Sequence, residues 1–320
     1  MIRSRSTWIR RFVLGLALAA GAAARPAIAQ DVARPTVPAR PRIDLVFVLD
    51  ATGSMGDEIE PVKNHIWSIA NRVASGNPRP DVRVGLVIYR DRSDAEHTRM
   101  WPLTRDLDAM HTALMGVTAQ GGGDYPEDVD AGLALAVHEM NWDRGAARMV
   151  FLVGDAPAQR YPEHDHDGLL RDAVRQGIEI STVECSGLDP RGHAEFASIA
   201  ERTHGMLTAL TYAQDQQMAD GRTQTVLRQG SQVFVAARRL SDDERGEDAD
   251  VLARRGLVHV ASARELASVG GAPGGAADGA ARGRTGAMAP AAATAPMTNN
   301  IASVITRRVQ ARASAMGVAY

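Results

Sequence analysis

Two alternating periodicities constrain this 320-residue chain more than anything else in it. Short, almost unbroken apolar runs occupy 43–49 (with one acid, Asp44), 82–89, 149–153 and 178–183. Runs this short and continuous suit strands covered on both faces, as in a parallel sheet. Between them lie helical stripes. Ile59, Val62, Ile66, Ile69 and Val73 recur every three or four residues, as do Val129, Leu133, Ala136, Val137 and Met140. Leu169, Leu170, Ala173 and Val174 form a shorter stripe that stops at Gly177, a natural C-cap, and Phe196, Ile199 and Ala200 mark a fourth. Strands alternating with helices predict an α/β fold: a doubly wound, mainly parallel sheet with helices on both faces.

The flanks read differently. Residues 1–29 have the layout of an export signal. Arg3, Arg5, Arg10 and Arg11 precede an uncharged apolar run, and Ala27-Ile28-Ala29 fits a small-x-small cleavage site. Arg10-Arg11-Phe12 leaves both general and twin-arginine export open. The apolar run is short for a bilayer span. Cleavage would place the mature chain in the periplasm or outside the cell. It would remove five arginines and no acid, taking the formal charge from −2 to −7. A chain that acidic, without a basic cluster, excludes nucleic acid as an expected partner. Cys185 is the only cysteine, so neither an internal disulfide nor a thiolate metal site can form.

Residues 30–42 carry Pro35, Pro38 and Pro41 and read as an extended linker leading into a domain over 43–215. Beyond it, 216–269 is harder to read: 226–240 mixes a candidate helix with the short apolar run Val233-Phe234-Val235. Residues 270–296, rich in Gly, Ala and Pro, predict a disordered linker. In 297–320, Ile301, Val304, Ile305 and Val309 fall at helical spacing. That segment could dock on a partner or a membrane surface; a weakly ordered tail is the favoured reading.

In open α/β sheets ligands bind just beyond the carboxyl ends of strands. Three oxygen-rich loops leave such positions here: Asp50-Ala51-Thr52-Gly53-Ser54-Met55, Gly121-Gly122-Gly123-Asp124-Tyr125-Pro126-Glu127-Asp128, and Gly154-Asp155-Ala156-Pro157. Asp50, Thr52 and Ser54 alternate along a tight turn, so their oxygens can converge, and Asp155 and an acid of the second loop can add to them. Carboxylates mixed with neutral hydroxyls suit a small hard cation such as Mg²⁺, with Mn²⁺ or Ca²⁺ as alternatives. Few charged ligands leave such a cation able to take a carboxylate from another molecule. For Asp50, Thr52 and Ser54 the bland alternative is a polar turn capping the next helix. For Pro126, Glu127 and Asp128 it is simply the first turn of a helix.

These residues resemble the metal-ion-dependent adhesion site of von Willebrand factor A (vWA) domains. That family's pattern is D-x-S-x-S, a threonine on a second loop and an aspartate on a third. Asp50, Thr52 and Ser54 match the first element with Thr for the first Ser, and Asp155 matches the last. The second loop lacks the threonine and instead resembles the GGGDxPED loop of a vWA subgroup best known fused to alpha-kinases. The stretches 84–91 and 154–157 are similar to the same subgroup. The resemblance spans about 43–215 and implies one antiparallel edge strand near 98–103. It also implies a metal held by Asp50, Thr52, Ser54 and Asp155, with Asp124 or Glu127 in the threonine's place. No kinase domain follows, so kinase activity is not implied.

Other candidates rank lower. Adjacent residues rarely converge on one ion, so His164-Asp165-His166-Asp167 reads as a solvated loop ahead of a helix over 168–176. His138, His193 and His204 read as surface or core-edge residues, and Trp67, Trp101 and Trp142 as packing residues. There is no G-x-x-x-x-G-K loop and no G-x-S-x-G elbow. The expectation is therefore an exported, non-enzymatic domain that binds a protein carboxylate through a divalent metal. The alternatives are a metal-dependent hydrolase with Glu127 or His164 as base, and a structural vWA domain that never loads metal.

Overall fold

The computed structural model describes residues 40–123, 125–185, 187–217, 222–230, 232–262, 265 and 298–320. The leader, the linker up to residue 39, the 270–296 stretch and Asp124 lie outside the described residues. All four apolar runs are strands: β1 (Arg42–Asp50), β2 (Asp81–Tyr89), β4 (Ala146–Gly154) and β5 (Ile178–Glu184). With β3 (Thr98–Thr104) and β6 (Leu207–Ala209) they form a six-stranded sheet, ordered β3-β2-β1-β4-β5-β6. Every neighbouring pair is parallel except β2–β3, so the expected antiparallel edge strand is present.

Helices cover both faces. On one lie α1 (Ile59–Val73) and α2 (Leu107–Met115), whose Val62, Ile66, Ile69, Met110 and Leu114 meet Leu45, Phe47 and Leu49 of β1. On the other lie α3 (Val129–Ala134), which continues as a π-helical turn (Leu135–Glu139), α4 (His166–Gln176) and α5 (Pro190–Arg202). Their Leu133, Leu170 and Phe196 pack on Val46, Val48, Val150 and Leu152. β1 therefore points alternate side chains into two cores, which is why its run is unbroken. Each such side chain contributes roughly 1.5–3 kcal/mol by leaving water. Asp44, the one acid in the run, is 1% exposed and held by a two-pronged bond from Arg83 on β2, at 2.8 and 2.6 Å.

From β6 the chain passes through Leu210 into a second, antiparallel sheet ordered β10-β9-β8-β7-β11. Its strands are β7 (Thr211–Gln217), β8 (Thr223–Gln229), β9 (Gln232–Ala236), β10 (Val258–Val260) and β11 (Thr298–Asn299). The short helices α6 (Asp242–Arg245) and α7 (Ala249–Arg254) follow β9, and Leu227, Phe234, Leu240 and Leu252 build a core of their own. The candidate helix over 226–240 is thus instead the hairpin β8–β9. Gly230, in the left-handed region at φ 55°, sits at its turn, and that turn signal outweighs the weak helical spacing.

The tail differs as well. Residues 301–314 form α8 (Ile301–Ser314), and Ile301, Ile305, Val309 and Ala313 are buried in the same core as α1. Asn300 ties its start to β7, accepting from the Thr211 N–H at 2.8 Å and donating to Ala209 O at 3.0 Å. Farther along, Arg308 reaches Glu179 on β5 at 2.6 Å. The apolar stripe that could have faced a membrane or a partner is covered by the domain itself. Among the described residues no helix is long and apolar enough to cross a membrane.

Candidate metal centre

β1 and β4 are neighbours, and the chain leaves them toward opposite edges of the sheet, β1 leading to β2 and β4 to β5. That reversal opens a crevice at their carboxyl ends. Asp50 is the last residue of β1, and Asp155 directly follows β4. Asp50 Oδ1 accepts from the Thr52 N–H at 2.9 Å and from the Thr52 hydroxyl at 2.6 Å. The Thr52 and Ser54 hydroxyls lie 3.0 Å apart, and Ser54 donates to Asp155 Oδ1 at 3.1 Å. Four residues from two loops are thereby joined in one relay of oxygens. Thr52 precedes the turn Gly53–Asp57 yet makes no capping hydrogen bond to it, so the capping alternative does not describe this loop.

The glycine-rich loop closes over the site. Gly121 and Gly122 adopt φ of 72° and 74°, a left-handed pair that only glycine takes easily. This bend lets the Gln120 N–H reach Ala51 O and the Gly53 N–H reach Gly121 O, each at 3.0 Å. Farther along, Glu127 is 5% exposed and lies outside α3; its backbone pairs instead with the loop after β4, through Pro157 O and the Gln159 N–H. Its side chain borders Gly122 and Thr52: a Cβ on Gly122 would stand 3.1 Å from Glu127 Oε1 and 3.2 Å from Thr52 Cβ. For Asp128 the helix-start alternative is what the structure has, since its carboxylate caps α3 by accepting from the Ala131 N–H at 3.1 Å.

Electrostatics set this crevice apart. Burial pushes the Asp50 carboxyl up despite its hydrogen bonds from Thr52, and it pushes Asp155 up with help from the Asp50 charge. Glu127 is pushed up to about 8 by burial and by the charges of Asp50, Asp91 and Asp155. Asp50 Oδ2 and Glu127 Oε2 are buried with no hydrogen-bonding partner. Buried acceptors without donors are costly unless something else meets them. Among the described residues no three His, Cys, Asp or Glu side chains could hold a metal ion by themselves. The set that fits a hard cation instead mixes carboxylate oxygens with the hydroxyls of Thr52 and Ser54.

The family model described as von Willebrand factor A domain matches residues 44–184, the stretch from β1 through β5. This stretch of the chain is a von Willebrand factor A domain. Alpha-protein kinase vwkA of Dictyostelium discoideum is 29% identical over 146 residues, 42% of this chain and 23% of that protein. Von Willebrand factor A domain-containing protein 7 of Rattus norvegicus is 36% identical over 99 residues, 30% of this chain and 10% of that one. The chain thus spans less than a quarter of the length of either relative. Among solved structures, proximal thread matrix protein 1 of the mussel byssus, with a zinc-occupied MIDAS motif, is 19% identical at a TM-score of 0.44. That match covers 53% of this chain and 41% of the other.

Two features of this crevice escape a reading of strand ends one loop at a time. Asp91 lies just past β2, 5% exposed, and its charge acts on Glu127; the strand-end rule could have found it. Arg90, 2% exposed, looks like a surface charge in the sequence. The 164–167 stretch also departs from the solvated loop expected. His164 Nε2 lies 3.5 Å and His97 Nε2 3.0 Å from the buried carboxylate of Asp128. α4 already begins at His166, whose Nδ1 meets Asp130 at 2.7 Å. His138 and His193 pair with Asp172 and Glu184 at 3.0 and 2.8 Å. Cys185 is buried, and burial raises its thiol pKa, as suits a small core residue.

Proposed function

We propose that the vWA domain holds one divalent cation on Asp50, Thr52, Ser54 and Asp155 and uses it to grip a carboxylate of a protein partner. Mg²⁺ is the expected ion, with Mn²⁺ or Ca²⁺ as substitutes. Glu127 and Asp124 are the candidates to complete the set in place of the second-loop threonine. Bound here, the cation supplies an electron-poor vacant corner to an incoming carboxylate oxygen. The chain's own residues do the rest: Thr52 and Ser54 give neutral oxygens, and the glycine loop holds the turn in place. The role is binding, not turnover. The carrying observation is the relay from Asp50 through Thr52 and Ser54 to Asp155, beside two buried carboxylate oxygens without partners.

We also infer that this domain belongs to the GGGDxPED subgroup, a reading supported by its similarity to vwkA. The leader-like layout of 1–29 supports export to the periplasm or beyond, and the acidic mature chain supports a protein partner over nucleic acid.

Titration calorimetry on the full chain tests this reading. Mg²⁺ should bind at one site, and Asp50→Ala should abolish binding while circular dichroism stays native. Unchanged Mg²⁺ binding in Asp50→Ala, or none in the parent chain, refutes it; the latter outcome is that of a structural vWA domain. One observation favours a hydrolytic reading: a carboxyl lifted to about 8, as in Glu127, lies in the range of a general base. Turnover on ester and phosphoester panels with Mg²⁺ and Mn²⁺, lost in Glu127→Gln, would establish it.

A further inference from the structure

The Arg90 guanidinium lies beneath the candidate metal site and touches three separate loops. Its Nε donates to Ala51 O at 2.9 Å, between Asp50 and Thr52. Its Nη1 donates to Glu96 O at 2.9 Å and to Glu96 Oε2 at 2.8 Å, in the β2–β3 loop. Its Nη2 donates to Thr118 O at 3.1 Å, at the root of the glycine loop. Four directed bonds therefore leave one planar group that is 2% exposed. Lys63 of α1, the chain's only lysine and 1% exposed, works alongside it by donating to Met115 O at 3.1 Å and Val117 O at 2.8 Å. Three carbonyls within the four residues that lead into the glycine loop are thus held by two buried cations.

We propose that Arg90 is a positioning residue for the metal site: its guanidinium fixes the register of the Asp50–Ser54 turn against the glycine loop, and with it the spacing of the coordinating oxygens. The reasoning is geometric. Ala51 O accepts from both Arg90 and the Gln120 N–H, so that carbonyl is pinned from two sides. The residues flanking it on either side, Asp50 and Thr52, are both in the relay of oxygens. Moving this carbonyl moves both. A lysine keeps the charge but has no planar fork, and one ammonium cannot hold carbonyls on three loops at once. Partners behind a metal's direct ligands typically alter affinity by about 10–100-fold.

The inference rests on the metal-binding reading above, so its test has two arms. In the first, Mg²⁺ titration of full-length Arg90→Lys, well below its unfolding temperature, should show affinity at least tenfold weaker than the parent chain. The Mn²⁺ EPR spectrum should broaden, which a purely structural loss of stability would not produce. An affinity within twofold of the parent overturns the proposal. In the second arm, hydrogen exchange on the metal-free protein should speed up at 51–54 and 120–123 and stay unchanged in β5 and α5. Uniform acceleration, or none, overturns the proposal. Should Arg90→Lys not fold, Glu96→Gln, which removes one charged partner of the guanidinium, is expected to show the same two-loop exchange pattern. A parent chain that binds no Mg²⁺ sinks the metal reading alone, because the exchange arm still decides the role of Arg90.

Discussion

The two sheets bury their acids in opposite ways. In the antiparallel sheet, Asp215 of β7 is 9% exposed and fully provided for. Thr225 donates to it at 2.7 Å, Arg239 Nε lies at 2.7 Å, and the guanidinium of Arg245 lies against it. Burial pushes its carboxyl up, but Arg245, Thr225 and Arg239 outweigh burial and hold it below its ordinary 3.8. At the carboxyl edge of the parallel sheet, deeper burial wins at Asp50, Asp155 and Glu127. The nearest buried cation there, Arg90, points its donors at Ala51, Glu96 and Thr118. On the same edge Asp130, fully buried, has Arg160 and His166 at 2.7 Å and is held low despite its burial. Among the described residues ion pairs are made to Asp215 and Asp130, and none to Asp50, Asp155 or Glu127. An acid that is paired serves the fold; acids left unpaired together leave room for a cation from outside.

The comparison breaks first at Asp215. Asp215→Ala should lower unfolding free energy by about 3 kcal/mol, because it leaves the buried Arg245 charge without its partner. Denaturant unfolding of both chains at neutral pH measures this. The pH dependence has a definite sign. A carboxyl held below its unfolded value adds stability that is present above that value and is lost as pH falls through the folded one. The gap between parent and variant should thus be full above pH 3.8 and shrink below it. A gap that grows on acidification would mean Asp215 is not stabilised as an anion.

The next effect is smaller and belongs to the crevice. With Mg²⁺ about a hundredfold above its dissociation constant, the parent chain should gain about 2.7 kcal/mol, and chelator should remove all of it. The same addition should leave Asp50→Asn unmoved. Stabilisation of both chains alike would place the ion elsewhere and erase the contrast between the two sheets.

How much of this was legible in advance follows the strength of local pattern. β1, β2, β4 and β5 announce themselves because strands covered on both faces need every position apolar. Asp50, Thr52, Ser54 and Asp155 could be found because strand ends point to ligand crevices, and their spacing needs only one tight turn. The β8–β9 hairpin could not, since Thr223, Gln224, Arg228, Gln229 and Gln232 dilute its pattern until helix and strand look alike. The stripe of α8 was readable, but where it docks was not, because its contacts on α1 lie more than two hundred residues away in the chain. Arg90 and Lys63 carry no local sign of burial: apart from Glu96 and Glu60, what holds them is a set of backbone carbonyls, which every sequence has.

The smallest effect is the most discriminating. In the absence of metal, Asp50→Asn should raise stability by about 1 kcal/mol, since replacing a poorly compensated buried charge is often stabilising. Asparagine keeps an oxygen able to accept from the Thr52 N–H and hydroxyl, now at 2.9 and 2.6 Å. Its amide nitrogen would stand where Oδ2 now lies, beside the buried Tyr89 hydroxyl. The hydroxyl, which can donate to the carboxylate, would accept from the amide instead, so the pair stays satisfied while the buried charge goes. The same substitution at Asp215 must destabilise, because an amide cannot answer two guanidinium groups. Opposite signs for one chemical change, read by chemical denaturation in chelator, would establish that the fold tolerates the crevice acids and does not depend on them. Equal signs would mean that Asp50 is held as structural polar residues are, and the case for a cation at that edge would lose its electrostatic basis.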